Sequence, residues 1–337
     1  MLYPEEAPWS TLESMTSKRR RWHVSGLVVL ACLLWVGCGA DEPPISLERH
    51  DTAKQLPVVV AGSLQNAAWS PGSNALVITR FRGGYNVGPA DLLVVNLADG
   101  AFRTLVSNGS DNVNLPGSSW NAATGAIAFS SSREPHDEIF TIDGNGASGS
   151  ETSITQRVDY VGYEPTLSPD GTWVVFESHR LDQVDNGVVM KSPVDRSAAP
   201  VAITPIASDC RQPNWAPAGG LILYQQFAGG QWDIWVVHDD GSGARQVTAG
   251  PGDKTDAAFS PDGAHIVYSS NEGGLDFANI FVVPTAGGAS IRVTNWAGYD
   301  GAPSWSPDGT RITFESYPGD PDGSAGTHLW VIAAPIL

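Results

Sequence analysis

The 337-residue sequence is poor in cysteine, in basic residues and in long apolar runs. Its three cysteines, Cys32, Cys38 and Cys210, are too few for a disulfide framework, so stability has to come from a buried core. Nineteen Lys and Arg face 36 Asp and Glu, for a formal net charge of −17. Such an excess repels phosphates, which excludes a nucleic-acid partner and electrostatic docking on anionic lipid. No apolar run reaches the roughly 20 residues of a membrane span. Helical periodicity is missing too, and 37 Gly with 24 Pro exclude a long bundle or coiled coil. No G-x-S-x-G, no H-E-x-x-H and no Cys-His metal spacing occurs. What remains is 42% hydrophobic with twelve Trp, the composition of a packed globular chain.

The N-terminal segment is read as an address. Residues 18–21 are K-R-R-R, and an apolar run from Val24 to Val36 follows. A basic cluster before a short apolar stretch is a secretory signal, assigned to residues 1–37, with Met15 as the expected start because Glu5, Glu6 and Glu13 suit a signal poorly. The run ends at Gly37-Cys38-Gly39, which resembles a bacterial lipobox and makes Cys38 the expected lipidation site. The alternative is an ordinary cleaved signal with an incidental Cys38. Residues 38–55 are expected to form a flexible tether. Gly39 after the cysteine resembles the outer-membrane sorting pattern, so an exported lipoprotein, periplasmic or at the cell surface, is expected.

Everything after the tether repeats. Anchors at Trp69, Trp120, Leu167, Trp215, Phe259 and Trp305 are spaced 51, 47, 48, 44 and 46 residues apart. Periods of this size indicate propeller blades. After each anchor a turn such as Ser-Pro-Asp-Gly leads into an alternating strand, for example W-V-V-F-E-S (173–178) or R-I-T-F-E-S (311–316). A third strand follows a variable loop, and a fourth is expected near 103–106, 153–155, 202–204, 246–248 and 292–294. The sixth unit lacks its own fourth strand. Residues 56–62 (L-P-V-V-V-A-G) are expected to supply it and close the ring, which removes the open sheet edges. The predicted fold is all-β, a six-bladed propeller of four-stranded blades over residues 56–337.

W-S-P-D-G followed by I-x-F-x-S, D-I-W-V-V and Q-V-T resembles the TolB-type β-propeller repeat. The likeness covers residues 56–337 and is weakest in the second unit, where Asn121-Ala122 replaces Ser-Pro. Only residues 38–55 precede the closing strand, so the α/β domain that stands before the propeller in TolB is expected to be absent.

Two sets of side chains are expected on the face that carries the variable loops and the blade-to-blade crossovers. The first is a recognition set: Arg80, Arg82, Tyr85, Arg133, His136, His179, Arg180, Trp232, Trp296 and Tyr299. The second is an acidic channel mouth, Asp111, Asp159, Asp209, Asp253 and Asp300, repeated in five units, while the first has only Ser63 and Gln65 there. An acidic ring suits a cation or a basic peptide. A repeated Asp also caps a repeated turn, the more ordinary role.

Together these readings predict an envelope binding module on a lipid anchor, with a protein or peptidoglycan-linked partner and no catalytic residues, metal or cofactor. The rival is an enzyme acting on an envelope or extracellular glycan, with His179, Arg180, His136 and Arg133 as its candidates.

Overall fold

The computed structural model describes residues 48–107, 113–114, 119–133, 136–157, 159–318 and 326–337. The secretory signal, Met15, Cys38, Asp111 and most of the tether lie outside them. Among the described residues there is no helix, and the strands form six four-stranded antiparallel sheets.

Each sheet is one blade, and its strands run outward from the axis in chain order. Blade one is Ser63–Trp69, Ala75–Phe81, Ala90–Asn96 and Phe102–Val106. Blade two is Val113–Asn114, Ala126–Ser131, Glu138–Asp143 and Thr152–Ser153. Blade three is Tyr160–Leu167, Trp173–Arg180, Gln183–Pro193 and Val201–Ala202. Blade four is Asp209–Trp215, Leu221–Ala228, Gln231–His238 and Arg245–Gln246. Blade five is Lys254–Phe259, His265–Ser270, Asn279–Pro284 and Ile291–Arg292. Blade six is Tyr299–Trp305, Arg311–Tyr317 and His328–Ala333. Its outermost position is taken by Lys54–Gln55, in register with Val331 and Trp330.

That strand lies just before residues 56–62. The Leu56 N–H still donates to the Leu329 carbonyl at 2.9 Å, after which Pro57 has no donor to offer the ladder. The chain then turns inward, and Val58 packs between blades six and one.

The turns follow from their residues. Ser260 Oγ accepts the His265 N–H at 3.0 Å and donates to Asp262, whose carboxylate accepts the Ala264 N–H at 3.0 Å. Gly263 completes the turn at φ +69°, a conformation that favours glycine. Blades three and six repeat this with Ser168–Asp170 and Ser306–Asp308. In blade two Asn121 does the same work, accepting from the N–H groups of Ala123 and Thr124.

In blades two to five the outer strand is only two residues long, and a threonine hydroxyl takes over the ladder beyond it. Thr155, Thr204, Thr248 and Thr294 accept the N–H groups of Ile139, Val189, Ile234 and Ile280 at 2.9–3.0 Å. Two of the variable loops between second and third strands are tight hairpin connections. Arg180 pairs with Gln183, and Ala228 pairs with Gln231 across Gly229-Gly230, both at positive φ as a tight hairpin turn needs.

The core is divided into six clusters, each shared by two neighbouring blades. Phe129, Ile127 and Phe140 of blade two pack with Val77 and Leu92 of blade one. Phe314 and Ile312 of blade six pack with Val267 and Ile280 of blade five. Leu329 of blade six packs with Leu76 and Ile78 of blade one, which completes the ring. Burying one such side chain is worth about 1.5–3 kcal/mol, so the stability resides between blades.

Candidate functional site

The innermost strands surround the axis, and those of blades one, three, four, five and six carry a bulge three residues before the anchor. Asn66, Glu164, Gln212, Asp256 and Ala302 sit there with φ between +44° and +53°. The ladder shifts register at each of these points. Pro165, Pro213 and Pro303 follow directly, tolerated because a bulge needs no ladder donor there. Non-glycine residues at positive φ are costly unless the surroundings hold them. Here the holding group comes from the second strand of the preceding blade. Glu177 accepts the Gln212 N–H at 3.0 Å, Gln225 the Asp256 N–H at 3.3 Å, and Ser269 the Ala302 N–H at 3.1 Å.

The bulge needs only an acceptor, and serine or glutamine suffices. Glu177 and Glu315 therefore bring more charge to the axis than the fold requires. With Glu164 and Asp256 they make four carboxylates from blades three, five and six that act on one another electrostatically. Burial, followed by the charges of Glu177, Asp256 and Glu315, pushes Glu164 up to about 8. Burial and Asp256 push Glu315 to about 8 as well, against the hydroxyls of Tyr299 and Tyr85 and the Asn66 N–H of the blade-one bulge. Glu177 goes the other way. Burial raises it, yet the hydrogen bond and charge of His179, the charge of Arg211 and the Gln212 N–H hold it below the ordinary carboxylate range. Glu164 keeps partial solvent exposure along the channel although protein surrounds it.

Two tyrosines stand over this cluster. The Tyr85 hydroxyl lies 3.2 Å from that of Tyr299 and 3.2 Å from Glu315 Oε1, and Tyr299 donates to the same oxygen at 3.1 Å. Their rings meet edge to face at 6.1 Å. Tyr85 comes from the loop after Phe81, which is held by Arg82 N–H to the Pro89 carbonyl and Gly83 N–H to that of Val87. Gly301 makes room for Tyr299, since a Cβ there would lie 1.9 Å from the tyrosine hydroxyl. Burial raises both tyrosines well above the usual phenol range. Glu315 Oε2 and both amide atoms of Gln65 are buried with no hydrogen-bond partner among the described residues.

Of the recognition set, Tyr85 and Tyr299 meet at the axis and the others are spread. Arg80 and Arg82 both bind Asp91. Arg133 stacks on Phe140 at 4.7 Å and pairs with Glu151 at 3.3 Å. Arg180 pairs with Asp182 in solvent. Trp232 packs on Phe227 and over the Arg211 guanidinium. Trp296 is buried and stacks on Arg49 at 4.6 Å. His136 is half-buried. His179 is buried, with Nε2 2.5 Å from Glu177 Oε1 and its ring edge-on to Tyr163.

The repeated aspartates mostly hold structure. Asp209 binds Arg211 at 2.7 Å and the Gly187 N–H at 2.9 Å. Asp253 accepts the Trp232 N–H at 2.9 Å. Asp300 is fully buried, bound to Arg49 at 2.7 Å and to Ser316. Asp159 is exposed.

Glu164, Glu177, Asp256 and Glu315 were not among the expected site residues. The signal that marks them is position: three before the anchor for Glu164 and Asp256, ten after it for Glu177 and Glu315.

The TolB beta propeller domain family matches residues 32–258 and 212–325. The chain belongs to that family. A curated "Protein TolB homolog" of Chlorobium luteolum is 30% identical over 144 residues, 43% of this chain and 31% of the relative. The chain thus spans about a third of that relative's length. Among solved structures, a TolB-type protein of Agrobacterium tumefaciens is similar with a TM-score of 0.58 at 18% identity, over 81% of this chain and 91% of the other. An oligogalacturonate lyase of Vibrio parahaemolyticus reaches 0.52 at 12% identity, over 84% and 93%. Similarities at these identities show the fold alone. Within this TolB-family propeller the tyrosine-capped acidic channel is the place where charge exceeds what the repeat needs.

Proposed function

We infer that this TolB-family propeller is a binding module of the bacterial cell envelope, held to a membrane by lipid on Cys38, that takes a protein or peptidoglycan-linked partner on its loop face around the channel. The observation that carries the reading is the axis itself: four carboxylates gathered under a tyrosine pair, where serine or glutamine holds the equivalent bulges of other blades. Family membership supports it.

A test is cross-linking of the chain in envelope extract followed by mass spectrometry, beside a Phe227→Ala, Trp232→Ala rim variant. One specific envelope protein captured by the wild type and lost from the variant is the expected result. No specific capture by either protein overturns the reading.

The glycan-enzyme reading has one observation in its favour, the buried His179–Glu177 pair next to Tyr163. Glycan depolymerisation that is abolished in His179→Gln would establish it.

A further inference from the structure

We propose that the channel of this chain is a receptor for one guanidinium group, an arginine side chain presented by the partner, held by Glu315, Glu164, Asp256 and the Gln65 amide beneath Tyr85 and Tyr299. This rests on the binding-module reading and gives it a chemistry.

The first argument is unmet polarity. Glu315 is 2% exposed; its carboxylate accepts two tyrosine hydroxyls at Oε1 and also the Asn66 N–H of the blade-one bulge, and its Oε2 has no hydrogen-bond partner among the described residues. Gln65 is 1% exposed, and neither amide atom is satisfied among them. A buried polar atom left unpaired has lost its water without replacement, so a donor arriving at Oε2 gains more than it would in solution.

The second argument is shape. Among the described residues no three acidic, histidine or cysteine side chains converge on one point, as direct coordination of a metal ion requires. The acceptors are instead distributed around the axis. A guanidinium offers five N–H donors fanned in a plane and can meet several separated oxygens at once, whereas an ammonium is a compact point charge. The tyrosine rings supply faces on which that plane and its aliphatic stem can lie. The excess of acids over the whole chain steers a cationic partner toward the channel.

Protons compete with the guest. Glu164 faces Glu177, Asp256 and Glu315, while Glu315 faces Asp256, Tyr85 and Tyr299; Glu177 is already compensated by His179 and Arg211. Glu164 and Glu315, pushed to about 8, hold protons at neutral pH that an incoming cation displaces. Affinity for the guest therefore rises as the pH increases from 6 to 9.

The probe is N-acetyl-arginine methylamide, titrated into the full-length chain in detergent by calorimetry. Its neutral counterpart, N-acetyl-citrulline methylamide, and calcium chloride are run alongside. Saturable arginine binding is expected, at least tenfold tighter than citrulline, tightening toward pH 9 and weakened at least tenfold in Glu164→Gln, Glu315→Gln. Equal binding of arginine and citrulline overturns the proposal, as does arginine binding unchanged in the double variant. Calcium binding without arginine binding overturns it in favour of a metal. If the double variant unfolds, the wild-type pH series decides, and a flat or falling affinity overturns the proposal. Capture of an envelope protein that the double variant retains fully sinks the guanidinium site and leaves the module standing. No specific capture by the wild type sinks the module, while the arginine titration still settles the site.

Discussion

The same chemical group is treated in opposite ways at two places in this propeller. On the turns, Asp170, Asp262 and Asp308 each accept from a serine hydroxyl and from backbone N–H groups. These bonds hold their carboxyls below the ordinary range. At the axis, Glu164 and Glu315 are crowded by other acids and pushed up to about 8. The turn acids recur at one step from the anchor in three blades, whereas the axial acids use two different steps, each filled by an acid in only two blades. Repetition in a blade array marks residues that build the unit, and charge that breaks the repeat marks residues answering to something outside it.

Four measurements break or sharpen this contrast, beginning with the largest effect. Glu177 is the one axial acid that behaves like a turn acid, because it is fully compensated. Glu177→Ala strands His179 Nε2 and the Gln212 N–H, and is expected to cost about 3–5 kcal/mol in urea unfolding. Glu177→Gln keeps the acceptor for Gln212 and should cost clearly less.

The second measurement is the pH dependence of Tm. Free glutamate titrates near 4.3, roughly. Glu164 and Glu315 titrate at about 8 in the folded ring, so the native state holds extra protons between those values. Their favourable contribution is complete below about 4.3 and is lost as the pH rises through 8. The turn aspartates act in reverse, contributing above their ordinary value and failing as the pH falls through their lowered one. Tm is therefore expected to be highest on the mildly acidic side and to fall by several degrees toward pH 9. In Glu164→Gln, Glu315→Gln that alkaline fall should flatten; an unchanged slope would mean that the axial acids are not the source.

Gly301→Ala comes third. The added Cβ collides with the Tyr299 hydroxyl and must expel the ring, for about 1–3 kcal/mol and a changed near-UV tyrosine signal. The smallest effect is Asp262→Ala, which removes one capped turn for about 1 kcal/mol or less by thermal unfolding, with no change at the channel.

The blades were legible because local chemistry makes them: Ser260-Pro261-Asp262-Gly263 can do little else than turn, and His265–Ser270 alternates as a strand must. The closing strand fell at Lys54–Gln55 because Pro57 cannot pair, a detail that an apolar pattern hides. The tip at Gly229-Gly230 reads as a loop until both residues are seen to fit a two-residue hairpin. The tyrosine pair was half legible, as two unrepeated aromatics on the expected face. The axial acids were not, because Glu164 and Glu315 stand 151 residues apart in sequence and become neighbours only when the ring is complete. The repeated aspartates drew notice for their regularity, which is what marks them as supports for Arg49, Arg211 and Trp232.

The shared cores carry a consequence for how such a chain comes into being. No blade owns a hydrophobic interior, and Lys54–Gln55 finds its partners only at Trp330 and Val331, almost a whole propeller later. A chain made N-terminus first must keep its opening segment unpaired until its last strand has been added. Until then the growing array presents one raw apolar flank to the surrounding compartment, open to rescue or to aggregation. Closure is thus a single late event, and a chain cut short anywhere before His328 would be an open arc with no keystone.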